Sequence, residues 1–444
     1  MTQPSPNVPD DLMPRIMAYH DKTLSLPEIQ ALEAELKEDP QKRQQFIDLS
    51  LDISLIHGVL QDESHVYGNT LAPTTAKQTV FKRLSAAMIA AAVLVAALFL
   101  FTTSRAKSVG RLTYAKDVSW QTDSLIPSAQ AVLPGSYHLT QGQLRLQMNQ
   151  GTIVTMDAPS QFEIKNQNNI VLASGKISTV MAEGAPPFRV LTQHLEVIDI
   201  GTAFGLHVRD DGSSQVTVFE GSVQVRAPQG NPLLLKRGDS AQSSSTGQLH
   251  LDVFDAQPFS ELWPLAKGID QMSELVEFIP PGPQRPLTDY RHNQKLFLMP
   301  EQMNLKLGQK IRVDLTPETT RLPVQDRQPS LLEAKTISSY IVFFNGQVPE
   351  TEGQHQNIQG QITFAQPILG VIYNEKRLTR SDTSLGLKDI TYPQTQGRGL
   401  VCKPKTNYPF PLDSITIVPD GHTLHFDLYT TEYMDQFRVI VGGD

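Results

Sequence analysis

The C-terminal half of the chain carries carboxylates and imidazoles of the kind that catalyse acid–base reactions. A glycosidase would need two carboxylates about 5 to 9.5 Å apart in one cleft, but no nucleophile elbow, P-loop or His-Glu-x-x-His run accompanies them. The simplest interpretation of Ser381-Asp382 and Asp435-Gln436 is that each aspartate accepts hydrogen bonds within a turn. We therefore expect no enzyme and no catalytic residues. The side chains considered are Asp289, Asp382, Asp413, Asp435, His292, His422 and His425.

Metal, cofactor and nucleic-acid sites are not predicted either. The single cysteine, Cys402, excludes an internal disulfide framework and any multi-cysteine zinc or iron–sulfur site. A lone thiol of this kind is usually buried. The net charge of -8 and the lack of a positive run longer than two residues argue against direct nucleic-acid binding. The chain is expected to act by binding, without a cofactor.

One uncharged run, Leu84 to Phe101, divides the chain into a short front segment and a long back segment. Its helical length is roughly 27 Å at about 1.5 Å per residue, close to the hydrocarbon thickness of a bilayer. The sequence predicts a transmembrane helix over 84–103 that acts as a single-pass anchor. Basic residues flank it on both sides, so their charge does not orient it.

The front segment has helical periodicity. Ser25 to Glu28 forms a capping box with Pro27 in the first turn, and Asp39 can cap a following helix. We predict a helical bundle over 1–62 and a polar tether over 63–83. So small a bundle has little core, so a partner is expected to complete it. The candidate partner-binding residues are the apolar positions Leu32, Leu36, Phe46, Leu49 and Ile53.

After the apolar run the hydrophobic period changes to two, the period of β-strands. Leu144, Leu146 and Met148 alternate with polar residues, and glycines separate successive strand patterns. This pattern predicts a β-sandwich or β-solenoid. Because Val218 and Val223 have opposite parity, a bulge or turn is expected between them.

The stretches Val197 to Leu206 and Val216 to Val225 resemble the core of the FecR family, in which a Gly-Thr-x-Phe turn precedes a Val-x-x-Glu-Gly-x-Val pair. Leu235 to Asp239 is similar to the closing Leu-x-x-Gly-Glu element, with Asp where Glu is commoner. This resemblance covers about 110–255. The front segment is similar to the form that is common in branches of the FecR family with many paralogues. The matching positions form a fold motif: Gly201, Thr202, Phe204, Glu220, Gly221 and Val223.

In the FecR family the front segment lies in the cytoplasm and holds or assists a sigma factor. The resemblance therefore implies a signalling regulator of the anti-sigma type at the cytoplasmic (inner) membrane. Its N-terminus would be cytoplasmic, and its C-terminal domains would form a periplasmic sensor region. A zinc-dependent version is excluded, because His20, His57 and His65 have no cysteine near them. Glu220 has two interpretations: a contact for a signalling partner, or a turn carboxylate that accepts from nearby amides.

The last part of the chain is predicted to be a second β region. A helical patch and Pro-rich linker over 256–285 lead to strand patterns over 286–444, which favour an antiparallel β-sandwich. Stretches such as 339–344 and 435–440 are similar to a domain of exported bacterial proteins that often end in a PEP-CTERM sorting tail. That resemblance implies no activity.

The predicted fold class is thus mainly β, with a small N-terminal helical bundle, one transmembrane helix, a FecR-like β-solenoid or sandwich and a C-terminal sandwich. Two functions of different class remain. One is the sigma-factor regulator; the other is a cell-envelope binding protein that recognises a glycan or a surface protein. An exposed aromatic platform would favour glycan binding, and an exposed apolar groove on the front segment would favour the regulator.

Overall fold

The structure is a computed structural model of two units, Met1–Thr103 and Ser104–Asp444. In the first unit it describes Ile29, Leu32 and Leu36, which are helical, and Leu32 is buried. In the second unit it describes residues 107–121, 130–228, 231–333, 335–346, 356–393, 397–403, 410–430 and 434–443.

Thirteen described strands build the FecR-like part of the second unit. They are β1 (Gly110–Trp120), β2 (Ala131–Val132), β3 (Gly135–Met148), β4 (Ile153–Asn166), β5 (Asn169–Val180), β6 (Phe188–Leu191), β7 (Glu196–Asp199), β8 (Ala203–Val208), β9 (Ser214–Glu220), β10 (Ser222–Arg226), β11 (Leu233–Lys236), β12 (Ser240–Ser243) and β13 (Leu249–Asp252).

These strands form one sheet that branches at β5. One path runs β11-β10-β7-β6-β5-β4-β3-β1-β2, and a second leaves β5 through β8, β9, β12 and β13. The first half of β5 pairs with β6 in parallel, and the second half pairs with β8 in antiparallel orientation from Gly175 onward. Apolar residues of both branches, including Val197 and Val223 on one and Leu206 and Val216 on the other, share one buried core. The two branches therefore enclose a common core.

The C-terminal part contains the remaining described strands and the described α-helices of the second unit. The helices are α1 (Leu262–Ala266) and α2 (Glu375–Leu385), and 3-10 turns occur at Gln257–Phe259, Leu287–Asp289, Thr319–Arg321 and Val324–Asp326. The strands are β14 (Ile269–Met272), β15 (Val276–Phe278), β16 (Leu296–Pro300), β17 (Leu305–Lys306), β18 (Ile311–Val313), β19 (Ser330–Leu332), β20 (Thr336–Phe343), β21 (Gln356–Phe364), β22 (Ile368–Ile372), β23 (Ser414–Ile417), β24 (Thr423–Thr430) and β25 (Gln436–Gly442).

Two sheets and a helix form layers in this part. The four-stranded sheet β14-β21-β24-β23 packs against the six-stranded sheet built on β15-β16-β20-β25-β22, with Ile362 and Leu424 meeting Val342 and Val439 in one core. A second core lies on the opposite face of the six-stranded sheet, where Leu378 of α2 is buried. The six-stranded sheet is thus covered on both faces.

The predicted fold class is wrong in its helical elements. The structure is mainly β, and in the part it describes no helix is both long and apolar enough to cross a bilayer. The 11 residues of α2 extend roughly 16 Å at about 1.5 Å per residue, about half the hydrocarbon thickness, and five of them are charged. The predicted helical bundle (1–62, apart from three residues) and transmembrane helix (84–103) lie outside the described residues.

The solenoid alternative for the FecR-like part is also wrong. A solenoid stacks its strands in parallel. Among the described strands of this part, β5 and β6 make the one parallel pair, and the other pairs are antiparallel. Antiparallel pairing arises because short glycine turns, such as the one at Gly151, reverse the chain directly between neighbouring strands.

Candidate functional site

The first turn of the FecR-like motif is built on a buried carboxylate. Oδ1 of Asp199, at the end of β7, accepts hydrogen bonds from the Gly201 amide at 3.1 Å and from the Thr202 hydroxyl. Asp199 is fully buried, and its Oδ2 has no hydrogen-bond partner among the described residues. Burial raises the pKa of Asp199 to about 7, although these hydrogen bonds act to lower it. The motif therefore holds a carboxyl group that titrates near neutral pH.

The second turn of the motif lies directly against the first. Gly221 separates β9 from β10 at a φ of 71°, and a Cβ there would stand 2.7 Å from both the Gly201 carbonyl oxygen and Thr202 Cγ2. The chain passes at Gly221 from one branch of the sheet to the other. Phe204 and Val223 are fully buried in the shared core. The structure thus brings all the predicted motif residues together, and the two glycine turns touch.

Glu220 connects this motif to the C-terminal part. Its Oε1 and Oε2 accept hydrogen bonds from Lys267 Nζ at 3.0 and 3.1 Å. The Lys267 side chain is 2% exposed, whereas that of Glu220 is 48% exposed. The Tyr340 hydroxyl of β20 donates to the Lys267 carbonyl oxygen at 2.6 Å. The interpretation of Glu220 as an acceptor for nearby turn amides is therefore replaced by an ion pair with a residue outside the motif.

An aromatic cluster closes the same contact. Phe219 lies 4.3 Å from Trp263, 5.3 Å from Phe254 and 6.0 Å from Phe259, measured between ring centroids. Phe259 fits over Gly205, where a Cβ would lie 2.6 Å from its Cδ1. The segment that the sequence presents as a helical patch before a linker is thus packed on the FecR-like sheet. The aromatic residues of this segment were the sequence signal for this packing, since rings of this size are usually buried.

A second ion pair crosses the contact between the two parts. Arg145 Nη1 on β3 donates to Asp270 Oδ1 at 2.8 Å and to the Leu265 carbonyl oxygen at 3.2 Å, and Nε donates to Thr113 Oγ1 at 3.1 Å. The Tyr114 hydroxyl donates to the Asp270 carbonyl oxygen at 2.8 Å. Burial raises the pKa of Asp270, with Arg145 opposing it. Polar and apolar contacts together fasten the two parts into one unit.

Inside the C-terminal part, buried charges form a network beneath α2. Arg438 Nε and Nη2 donate to Glu301 at 2.6 and 2.8 Å, and Arg398 donates twice to Asp382 at 2.5 and 2.8 Å. Arg438 also donates to Asp382 at 2.9 Å, and the Tyr392 hydroxyl donates to Glu301 at 2.6 Å. Asp382 is therefore an ion-pair partner within a helix instead of a turn acceptor. Burial beside Glu301 raises the pKa of Tyr392.

Two other carboxylates considered for catalysis, Asp413 and Asp289, have different surroundings. Asp413 accepts from the Val401 amide at 2.7 Å and the Tyr429 amide at 3.0 Å, and Asp289 is exposed. Within the described ranges, no group of three His, Cys, Asp or Glu side chains is placed to hold a metal ion. Cys402 is buried, and this burial raises the pKa of its thiol.

The predicted partner-binding residues belong to the first unit. Leu32 is buried and Leu36 is half-buried, both in helical backbone. Phe46, Leu49 and Ile53 lie outside the described residues. Their grouping on one face stays a prediction.

Comparison with known proteins identifies the motif-bearing region. Residues 138–224 match the family model of the FecR protein, so the chain is FecR-like over this segment and the resemblance predicted from its motifs is confirmed. No curated protein matches the chain. The similarity of the C-terminal part to domains of PEP-CTERM-type exported proteins stays a prediction.

Two solved structures from Parabacteroides distasonis, both of a protein assigned as an anti-sigma factor, are similar to part of the chain. The one at 1.65 Å resolution is 21% identical with a TM-score of 0.25, over 28% of this chain and 61% of that chain. The one at 2.50 Å is 22% identical with a TM-score of 0.26, over 31% and 66%. The chain spans less than two thirds of either structure.

Proposed function

We propose that this chain is a sigma-factor regulator of the FecR type. In this proposal the front segment binds the sigma factor, and the unit of residues 104–444 receives the signal that alters this binding. The mechanism is binding and population shift, without catalysis. The observation that carries the proposal is the FecR match over 138–224, which contains both turns of the motif and ends beyond Glu220.

The contacts around Glu220 support a role for the C-terminal part in receiving the signal. A ligand or partner on that part acts on a body already joined to the motif by the Glu220–Lys267 pair and the cluster around Trp263. Coupling requires an element whose equilibrium both sites bias. The candidate for that element is the contact surface between the two parts, which we call the seam. It contains the Glu220–Lys267 and Arg145–Asp270 ion pairs and the cluster around Trp263.

The alternative function, a cell-envelope binding protein for a glycan or surface protein, has less support. Glycan recognition would favour an exposed aromatic platform. Among the described residues, the large hydrophobic side chains that are exposed are aliphatic with the exception of Phe410: Ile200, Leu234, Leu251, Val253, Leu275, Leu322 and Leu331.

The location of the protein is also part of the proposal. FecR proteins are typically inner-membrane regulators. We place the front segment in the cytoplasm, where sigma factors act, and the β unit on the extracytoplasmic side. Protease added to intact spheroplasts would then digest the β unit and spare an epitope tag at the N-terminus. Protection of both ends would contradict this placement.

The function is tested by capture of the full-length tagged chain from its native cell, followed by mass spectrometry. The proposal expects one sigma factor to be enriched over an untagged control. Enrichment of surface proteins or glycan without a sigma factor would instead support the envelope binding protein.

A further inference from the structure

A cleft of about 220 Å³ lies on the seam between the FecR-like part and the C-terminal part. Side chains from both parts line it: Arg111, Thr113 and Arg145 from the first, and Asn304, Ser338 and Gln366 from the second. At about 30 Å³ per water molecule, the cleft has room for roughly seven waters or one small organic molecule. Any occupant would contact both parts at once.

The charge of the cleft has one sign. Among the described residues that line it, the charged ones are Arg111, Arg145 and Lys267, and none is a carboxylate. Two of these cations are balanced from outside the cleft, Arg145 by Asp270 and Lys267 by Glu220. One positive charge, that of Arg111, is left without an acidic partner in the described part of the chain.

The guanidinium groups in the cleft are held in place before any ligand arrives. Arg111 Nε and Nη2 both donate to the Gln147 side-chain oxygen, at 3.0 and 2.6 Å. The side chain of Arg145 is 6% exposed. Its described hydrogen bonds are donated by Nε and Nη1, and Nη2 takes part in none of them. A planar guanidinium held in this way suits a carboxylate or phosphate oxygen, because charge-assisted hydrogen bonds are short and directional.

The remaining walls of the cleft are apolar. Ile153 and Val180 contribute from β4 and β5, and Met303 and Val441 contribute from the C-terminal part. Apolar walls around a few convergent polar groups are typical of small-molecule sites. They favour a ligand with a hydrocarbon body over a bare inorganic anion.

We propose that this cleft binds a small organic monoanion, a short-chain carboxylate, with its head group at Arg111 and its hydrocarbon body against Ile153, Val180 and Met303. Binding across the seam stabilises the joined arrangement of the two parts, because a ligand that binds only this arrangement adds to its stability. The lining of the cleft is the evidence for binding. The role of the bound ligand as the signal for the sigma-factor partner rests on the proposed function.

The test uses purified full-length protein with hexanoate, hexanamide, hexylamine and inorganic phosphate as probes in calorimetric titration. We expect millimolar binding of hexanoate and weaker binding of the other three. Arg111→Gln should weaken hexanoate binding about tenfold, the scale of one charge-assisted hydrogen bond. Arg189→Gln, an exposed arginine on β6 outside the cleft, should leave binding unchanged.

Three results would overturn the assignment. Equal binding of hexanamide would show that the negative charge of the ligand is not recognised. Equal binding of phosphate would show that the hydrocarbon body does not contribute. Unchanged hexanoate binding by Arg111→Gln would show that the head group does not lie at Arg111. No sigma factor is present in this titration. Absence of hexanoate binding would therefore reject the ligand site in the cleft without bearing on the proposed sigma-factor function.

Discussion

The ammonium group of Lys267 is buried, and both carboxylate oxygens of Glu220 meet it at 3.0 and 3.1 Å. Glu220 occupies the glutamate position of the FecR-like motif, and Lys267 follows the helix that packs Trp263 on the FecR-like sheet. The motif glutamate therefore has a structural role, because it neutralises a charge that the contact between the two parts removes from water.

The first prediction concerns the two halves of this pair. Glu220→Ala should lower the free energy of unfolding by about 2 kcal/mol, because it leaves the buried ammonium unpaired; half exposure of Glu220 keeps the cost below that of a fully buried pair. Lys267→Met should change it by less than about 1 kcal/mol, since it removes the charge and keeps the aliphatic stem. Urea unfolding followed by tryptophan fluorescence measures both.

The matched control for this pair is Glu333→Ala, which breaks the exposed Lys310–Glu333 pair at 2.8 Å. Its cost should be less than about 0.5 kcal/mol. Equal costs for Glu220→Ala and Glu333→Ala would mean that the Glu220–Lys267 pair contributes no more than a surface contact.

The second prediction concerns pH. The pKa of Asp199 is about 7 in the folded protein against 3.8 for an ordinary aspartate, so between these values the folded state binds one proton more than the unfolded state. Its contribution to stability is therefore greatest at low pH, falls as the pH rises from about 4 to 7, and is constant above that range. We expect Tm to fall across this window more steeply in the wild type than in Asp199→Asn.

The Asn variant keeps an oxygen for Thr202 and Gly201 and cannot ionise, so it imitates the protonated carboxyl. At pH 8 it should be more stable than the wild type. Parallel Tm profiles from pH 5 to 8 would show that Asp199 does not titrate in this range.

The third prediction tests the contact between the two glycine turns. Gly221 (φ 71°) and Gly421 (φ 74°) have nearly the same positive φ, but a Cβ at Gly421 would have nothing within 4 Å. Gly421→Ala should cost about 1 kcal/mol from the backbone alone, and Gly221→Ala at least about 2 kcal/mol because its Cβ also meets the Gly201 carbonyl. Equal losses of unfolding free energy would refute close packing of the turns.

Local signals in the sequence predicted the motif and the β content well. Gly201 stands at the turn between β7 and β8 and Gly221 at the turn between β9 and β10, and Phe204 and Val223 are buried in the core. The seam left no such signal. Glu220 and Lys267 are 47 residues apart, and Arg145 and Asp270 are 125 apart, so only the folded chain pairs them.

Asp382 shows why the charged network was missed. A Ser-Asp pair is common in turns, and the polarity of the surrounding segment gives little sign of a buried helix. Burial of its partners, Arg398 and Arg438, depends on carboxylates from distant elements. Arginine is seldom fully buried without such partners. Sequence patterns therefore favour an exposed position for these residues, and tertiary pairing reverses it.

In the function proposed here, the front segment binds a sigma factor through its apolar residues. The most direct measurement is recovery of that sigma factor with tagged full-length protein, comparing the wild type, Leu36→Asp, Phe46→Asp and Leu251→Asp. Leu251 is 65% exposed on β13 of the other unit and serves as the control. We expect recovery with the wild type and Leu251→Asp, and loss with Leu36→Asp and Phe46→Asp at equal protein levels. Full recovery with Leu36→Asp or with Phe46→Asp, or no sigma factor with the wild type, would contradict this function.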